Sequence, residues 1–119
     1  MRASKTRGVV GQVASIVLVT VVLTCGVYAA DVDVTDWGTV AALQAGWVVD
    51  RMLVFHNAPL KNPDNCPITT NGYIVNETDP GRQTFYAMLI SAVMSRKQVA
   101  FVVSGCFEQR PRIVSVSIK

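Results

Sequence analysis

The chain has 119 residues, half of them apolar, which suits one small domain with a single hydrophobic core. Its formal charge of +3 is carried by Arg2, Lys5 and Arg7, because the residues from Asp31 onward include eight basic and eight acidic side chains. A neutral domain lacks the positive surface that binds phosphate backbones, so we expect no nucleic-acid partner.

The first 30 residues have the features of a secretory signal peptide. The three basic residues precede an apolar stretch at 13–25, and the segment ends in two alanines, which predicts cleavage near Ala29 or Ala30. One alternative is an uncleaved membrane anchor, because 9–30 approaches the roughly 20 residues that span a bilayer. Another is a lipoprotein with lipid on Cys25. We favour cleavage, and therefore a secreted or periplasmic protein without stable membrane insertion.

Removal of this segment leaves two cysteines, Cys66 and Cys106. In an oxidising compartment an even pair is most simply one disulfide. It would close a loop of about 40 residues, for which loss of chain entropy in the unfolded state gives about 4 kcal/mol of stabilisation. A reactive thiol or metal pair is the alternative, but there is no C-x-x-C spacing and His56 is the sole further soft ligand.

The acidic segment 31–36 predicts a short spacer, followed by a folded domain over 37–119. The segments 39–44 and 47–55 are rich in valine, leucine, alanine and aromatic residues, with an Ala-Gly pair between them. They predict two strands joined by a tight turn. Apolar residues occupy both faces of the second segment, which indicates that it is at least partly covered on both sides.

A loop rich in proline and asparagine follows at 57–65, and 68–75 predicts a weaker third strand. Asn71-Gly72 interrupts this strand as a turn or a bulge.

The pattern then becomes helical. Asp79 and Pro80 suit the first positions of a helix, as cap and as N1 residue. Apolar residues recur at helical spacing from there to Ser95, and the stripe is wide enough to predict a helix pressed into the domain. The run at 98–104 is apolar and β-branched, which predicts an inner strand. At 112–118 apolar residues alternate with serines, which predicts a half-exposed final strand.

The predicted fold is therefore mainly β with one helix, an α+β domain with the order strand, strand, strand, helix, strand, strand and one disulfide. Five strands with a helix in this position are the order of an OB-fold barrel. The sequence motifs that carry a family resemblance are Trp37-Gly38, Gly46-Trp47, Asn65-Cys66, the helix over 80–95, Lys97-Gln98-Val99, Ser104-Gly105-Cys106 and Ile113-Val114-Ser115-Val116.

With these motifs the chain resembles small secreted bacterial proteins similar to the subtilase cytotoxin B subunit. The resemblance implies a disulfide-bonded OB-fold that assembles into a ring-shaped pentamer, binds cell-surface glycans and delivers a catalytic toxin A subunit. No glycan-contacting residue of that family can be matched to a position of this chain.

Catalytic chemistry has little support in the sequence. His56 is the one histidine and ends an apolar strand, and no second carboxylate can be placed beside Asp50. Asp50 and Arg51 suggest a charge pair on the surface or at the rim of a barrel. Arg110 and Arg112 suggest either an acidic ligand or a solvated strand end. We expect no catalytic residues, no metal and no cofactor.

We therefore expect an exported, non-enzymatic binding module, with Trp37, Trp47 and Tyr73 as candidates for stacking against a sugar ring. The alternative interpretation of these three aromatic residues is that they belong to the core or to a contact between subunits. The alternative function is a small secreted or periplasmic structural or inhibitory protein that acts through protein–protein contact.

Overall fold

The computed structural model describes residues 31–46 and 48–119. The predicted cleavage site at Ala29 and Ala30, the alternative lipid site at Cys25 and the candidate sugar-stacking residue Trp47 lie outside the described residues. Within the described ranges, no helix is long and apolar enough to cross a membrane.

The described residues form six strands and one helix. They are β1 (Val32–Val34), β2 (Gly38–Ala45), β3 (Met52–His56), β4 (Tyr73–Val75), α1 (Arg82–Ser95), β5 (Gln98–Phe107) and β6 (Arg110–Ile118). The predicted order of three strands, one helix and two strands is confirmed for β2 to β6.

Five of the strands close into a ring through their backbone pairing. The order is β5–β2–β3–β4–β6, and β6 pairs again with β5. All these pairs are antiparallel except β4–β6, which is parallel and rests on the single pair Ile74 and Arg112. Helix α1 lies between β4 and β5 in sequence and packs on β2, β5 and β6.

Strand β1 lies outside the ring, where the sequence predicts a spacer over 31–36. It pairs antiparallel with β5, placing Val32 opposite Ser104 and Val34 opposite Val102. Thr35 anchors it, since its N–H donates to the Phe101 carbonyl and its Oγ1 accepts the Phe101 N–H, both at 2.9 Å. The acidic composition of this segment does not indicate a strand. The strand forms because β5 provides a backbone partner for it.

Strands β3 and β4 are shorter than the segments 47–55 and 68–75 that the sequence predicts for them. Val48 has a φ of 82°, and the Arg51 N–H donates to the Val49 carbonyl, so the backbone turns before β3 begins. The strand itself is covered on both faces as predicted, because its first three residues, Met52, Leu53 and Val54, are all buried.

The prediction of the helix N-terminus at Asp79 and Pro80 is wrong in detail. The helix begins at Arg82, with Gly81 as N-cap and no side-chain cap. Asp79 instead accepts two hydrogen bonds from the guanidinium of Arg112 on β6, at 2.6 and 3.2 Å. A bidentate charge-assisted pair is stronger than a cap, which accounts for the difference.

The prediction that the helix is pressed into the domain holds for one face only. Leu89 and Ala92 are buried, whereas Ile90 is 51% exposed and Met94 80% exposed. The helix therefore presents an apolar outer face.

The core lies between the helix and the inner faces of the ring. Val99, Phe101 and Val103 of β5 are fully buried, which confirms the predicted inner strand. Strand β6 is half-exposed as predicted, and Val116 is buried. The alternation that puts Val114 and Ile118 on the same face as Val116 is wrong, because Ile113 is buried in their place. Adjacent residues Val102 and Val103 of β5 pair with Ser115 and Ile113, so β6 bulges at the residue between them. The core cluster is Met52, Val54, Tyr73, Val75, Leu89, Ala92, Val99, Phe101, Val103, Ile113 and Val116.

The predicted disulfide is confirmed. Cys66 and Cys106 are bonded, with their Cα atoms 5.7 Å apart and 40 positions apart in sequence. The bond ties the loop between β3 and β4 to the end of β5.

Candidate functional site

Two of the three aromatic residues predicted to stack on a sugar are described, and they differ in exposure. Trp37 is 42% exposed, and the Lys119 ammonium lies 4.4 Å from the centroid of its ring. This cation–π contact occupies one ring face. Tyr73 is 1% exposed and belongs to the core, which is the alternative role that the sequence left open for it, so its ring is not accessible for stacking on a ligand.

The position of Tyr73 has a structural explanation. Its ring makes edge contacts with His56 and Phe101, and its hydroxyl accepts the Lys61 N–H at 2.8 Å. Burial is the main cause that raises the pKa of this phenol above its ordinary value of 10.0. Tyr73 therefore attaches the loop after β3 to the core.

The most suitable binding site is a polar cleft of about 300 Å³ on the outer side of β3. It is lined by Gln44, Arg51, Leu53, Asn71 and Arg110, and we call it the arginine cleft. These residues come from four places in the sequence: the end of β2, the start of β3, the turn before β4 and the start of β6. Two side-chain amides and two guanidinium groups thus surround one apolar side chain.

Leu53 forms an apolar floor for this cleft. It is 6% exposed, and it pairs across the sheet with the fully buried Ile74. Neither residue belongs to the core cluster, so both lie on the opposite side of the sheet. A small second apolar layer therefore supports the polar side chains above it.

The charges of the cleft form a compact cluster. Glu108, in the turn between β5 and β6, makes an ion pair with Arg51, and its carboxylate is 3.9 Å from Arg110 Nη1. Arg110 also donates to the Glu108 carbonyl at 3.0 Å. Two guanidinium groups face one carboxylate, so the cluster has a net charge of +1 and attracts oxygen-rich or anionic groups.

The Arg110 guanidinium is not saturated by the protein. Its Nε is buried and has no hydrogen-bond partner among the described residues. A buried donor without an acceptor costs about 1–3 kcal/mol. Such groups are rare in folded proteins, so Arg110 keeps one hydrogen-bond donor that the described residues do not use.

The backbone on both sides of the cleft is strained. Glu108 and Gln109 have φ values of 47° and 64°, so the turn between β5 and β6 places two non-glycine residues in the left-handed region. Val48, in the loop between β2 and β3, has a φ of 82° and is 98% exposed. A β-branched residue is a genuine outlier there, and strain of this kind is concentrated at binding and switch sites.

The loop before β4 is attached to the turn at the cleft by several contacts. The Ile68 N–H donates to the Gln109 carbonyl at 2.8 Å, and the Gly105 N–H donates to Asp64 at 2.6 Å. The Cys66–Cys106 disulfide lies between these two contacts in sequence. These contacts fasten the loop before β4 to the end of β5 and to the turn that precedes Arg110.

His56 lies among aromatic residues in the interior of the ring. Its Nε2 is 3.1 Å from the Val99 carbonyl and its ring is 4.8 Å from that of Phe101. The other ring nitrogen is buried without a partner among the described residues. In the described ranges there is no group of three or more histidine, cysteine or acidic side chains that could hold a metal ion.

A second cleft of about 180 Å³ lies at the start of α1, where Asp79 and Arg112 meet. Here the carboxylate and the guanidinium satisfy each other through two hydrogen bonds. The remaining walls include Pro80, Phe85 and Val114. Because its charged groups already have partners, this cleft is a weaker candidate for ligand binding.

Two charge assignments from the sequence are corrected. Asp50 and Arg51 are neighbours in sequence but pair elsewhere: Asp50 accepts from Arg82 at 3.3 Å, and Arg51 pairs with Glu108. Arg110 and Arg112 also separate, since Arg110 lines the arginine cleft and Arg112 binds Asp79.

The sequence offered one signal for the arginine cleft. The Arg110-Pro111-Arg112 segment suggested an acidic ligand, and its first arginine does line the cleft. Gln44 and Asn71 carry no such signal, because isolated amides are common on surfaces and only the ring closure brings them together.

Comparison of the chain with protein-family models, with curated proteins and with solved structures yields no match in any of the three.

Proposed function

We propose that this protein is an exported, non-enzymatic module that binds glycans in the arginine cleft. The observation that carries the proposal is the composition of the cleft: amide and guanidinium donors surround an apolar floor, in a space large enough for one or two sugar rings. Sugars combine hydroxyl groups with apolar ring faces, and this lining complements both. The two guanidinium groups favour glycans that also carry a carboxylate.

The architecture supports the same proposal. We propose that the five-stranded ring is an OB-fold-like barrel with β2 as its first strand and β6 as its fifth. In OB-folds, oligosaccharides bind on the face of the second and third strands, flanked by the loops after the first and fourth strands. The arginine cleft lies on β3, between the loop at 46–51 and the turn at 108–109.

A glycan array followed by calorimetric titration tests the proposal. Gln44 is exposed in the cleft, so Gln44→Ala should leave the fold intact and remove one neutral hydrogen bond to the ligand, about 1 kcal/mol or about fivefold in affinity. The matched control is Gln83→Ala, which removes an exposed glutamine of α1 outside the cleft and should leave affinity unchanged. Equal affinities of both variants and the wild type, or no glycan bound at all, would refute the proposal.

A second function is favoured by the outer face of α1, and we propose it as the alternative. Ile90, Val93 and Met94 are exposed, and no charged residue lies between Arg82 and Arg96. An uncharged exposed apolar helix face is typical of a surface covered by a protein. In this alternative the protein is a small secreted or periplasmic structural or inhibitory protein, and its partner is a different protein. Further copies of this chain, in the pentamer that the resemblance implies with a toxin A subunit, belong to the glycan-binding proposal and would use the same face.

Light scattering coupled to size exclusion tests whether the outer face of α1 binds further copies of this chain or a different protein. If α1 is an assembly surface, Ile90→Glu should shift an oligomer towards the monomer. Gln83→Glu places the same charge elsewhere on the helix and should leave the oligomer intact. A wild-type protein that is monomeric at high concentration would exclude self-assembly through α1 and leave only a different protein as its partner.

A further inference from the structure

The turn that leads into β4 places a chemically labile pair at the rim of the arginine cleft. Gly72 has a φ of 69°, and a Cβ atom there would collide with the Val54 carbonyl oxygen. Only glycine fits, so the backbone nitrogen that follows Asn71 has no side chain to shield it. The fold therefore requires glycine after Asn71, and Asn-Gly is the pair in which backbone attack on the asparagine amide is least hindered.

The environment of Asn71 differs from that of most other asparagines. The side chain of Asn57 donates to Thr39, that of Asn62 makes two hydrogen bonds to Cys66, and that of Asn76 accepts two from Thr78. No hydrogen bond holds the Asn71 side chain among the described residues. It is half-buried and lines the arginine cleft.

We propose that Asn71 is a site of spontaneous deamidation that changes the charge of the arginine cleft. The Gly72 nitrogen bonds to Asn71 Cγ and gives up its proton, and the Cγ–Nδ2 bond breaks. The amide nitrogen takes up that proton and leaves as ammonia, so a cyclic imide remains. Water then opens the ring at either carbonyl and yields aspartate or isoaspartate. Water is the only co-reactant, and no oxidation or reduction takes place.

The new carboxylate has a direct electrostatic consequence. The cluster of Arg51, Arg110 and Glu108 has a net charge of +1, and a carboxylate at Asn71 brings the cleft to zero. It competes with any ligand carboxylate for the guanidinium groups, whereas a neutral sugar does not need them as counter-ions. This consequence rests on the proposed glycan site, but the deamidation itself does not.

The modification is tested by ageing the oxidised protein, expressed from its full coding sequence, in oxygen-18 water at mildly alkaline pH. Peptide mapping by mass spectrometry should show the peptide with Asn71 taking up heavy oxygen first, well before the peptides with Asn57 and Asn76. Asn71→Gln should abolish this early acidic species. Conversion of Asn71 no faster than that of Asn76 would overturn the proposal.

The functional consequence has its own test with Asn71→Asp. This variant should lose affinity for a carboxylate-bearing oligosaccharide relative to its neutral parent, whereas Gln83→Glu, which adds the same charge on α1 outside the cleft, should keep the wild-type ratio. An unchanged ratio in Asn71→Asp would overturn the charge effect. If Asn71 deamidates but neither form binds any glycan, the modification stands and the proposed glycan function fails.

Discussion

Loss of the Cys66–Cys106 bond is the perturbation with the best-defined effect on this fold. The two cysteines are 40 positions apart, and opening a loop of that size frees chain entropy in the unfolded state worth about 4 kcal/mol. A domain of this size has a total stability of roughly 4–13 kcal/mol, at about 0.05–0.15 kcal/mol per residue. Reduction should therefore remove a large share of it and lower the melting temperature by about 15 °C or more.

Urea unfolding with and without reductant measures this change. The midpoint should fall, and the slope of the free energy against urea should rise, because the reduced unfolded chain is less compact and exposes more surface. The double variant Cys66→Ala/Cys106→Ala should match the reduced protein and no longer respond to reductant. A reductant effect below about 1 kcal/mol, or two titratable thiols in the untreated protein, would contradict the bond or its energetic role.

Three further predictions follow from the backbone and from burial. Gly46 and Gly72 both have positive φ, but a Cβ atom would meet the Val54 carbonyl only at Gly72. In thermal unfolding, Gly46→Ala should lower the free energy of unfolding by ~1 kcal/mol, and Gly72→Ala should lower it clearly more. Gln109→Gly should raise stability by up to about 1 kcal/mol, since it relieves a left-handed conformation; a lower urea midpoint would refute the strain. Burial raises the Tyr73 pKa above 10.0, so the folded state favours the neutral phenol. The free energy of unfolding should therefore keep the full contribution of Tyr73 below pH 10 and fall as the pH rises further. In Tyr73→Phe this fall at alkaline pH should be smaller.

The sequence predicts the elements of this fold better than their ends. The strongly patterned segments, the helix and the inner strand β5, lie where predicted because several consecutive residues indicate the same structure. Strand β1 could not be read from an acidic segment, since its stability comes from pairing with β5. The inward side of β6 was also unpredictable, because one bulged residue reverses the alternation and leaves no local mark.

The candidate site was less predictable than the fold. Two of the aromatic residues that stand out in the sequence have structural partners: Tyr73 lies in the core, and Trp37 stacks with Lys119. The arginine cleft instead draws on residues that are far apart in sequence, and two of them, Gln44 and Asn71, have no distinguishing sequence pattern. Their meeting depends on ring closure, which is a property of the long-range pairing and not of any one segment.

The backbone pairing that closes the five-stranded ring is stronger between some strands than between others. Seven residue pairs join β5 to β6, whereas one pair, Ile74 with Arg112, joins β4 to β6. Side chains reinforce this seam, because Arg112 also binds Asp79 and the nearby loop is fastened by the disulfide. The contact between β4 and β6 therefore depends on side chains more than on backbone pairing, and amide hydrogen exchange at β4 should show that this contact opens before the protein unfolds globally. Asn71 precedes β4 and Arg110 begins β6, so separation of these two strands would also separate the two sides of the arginine cleft.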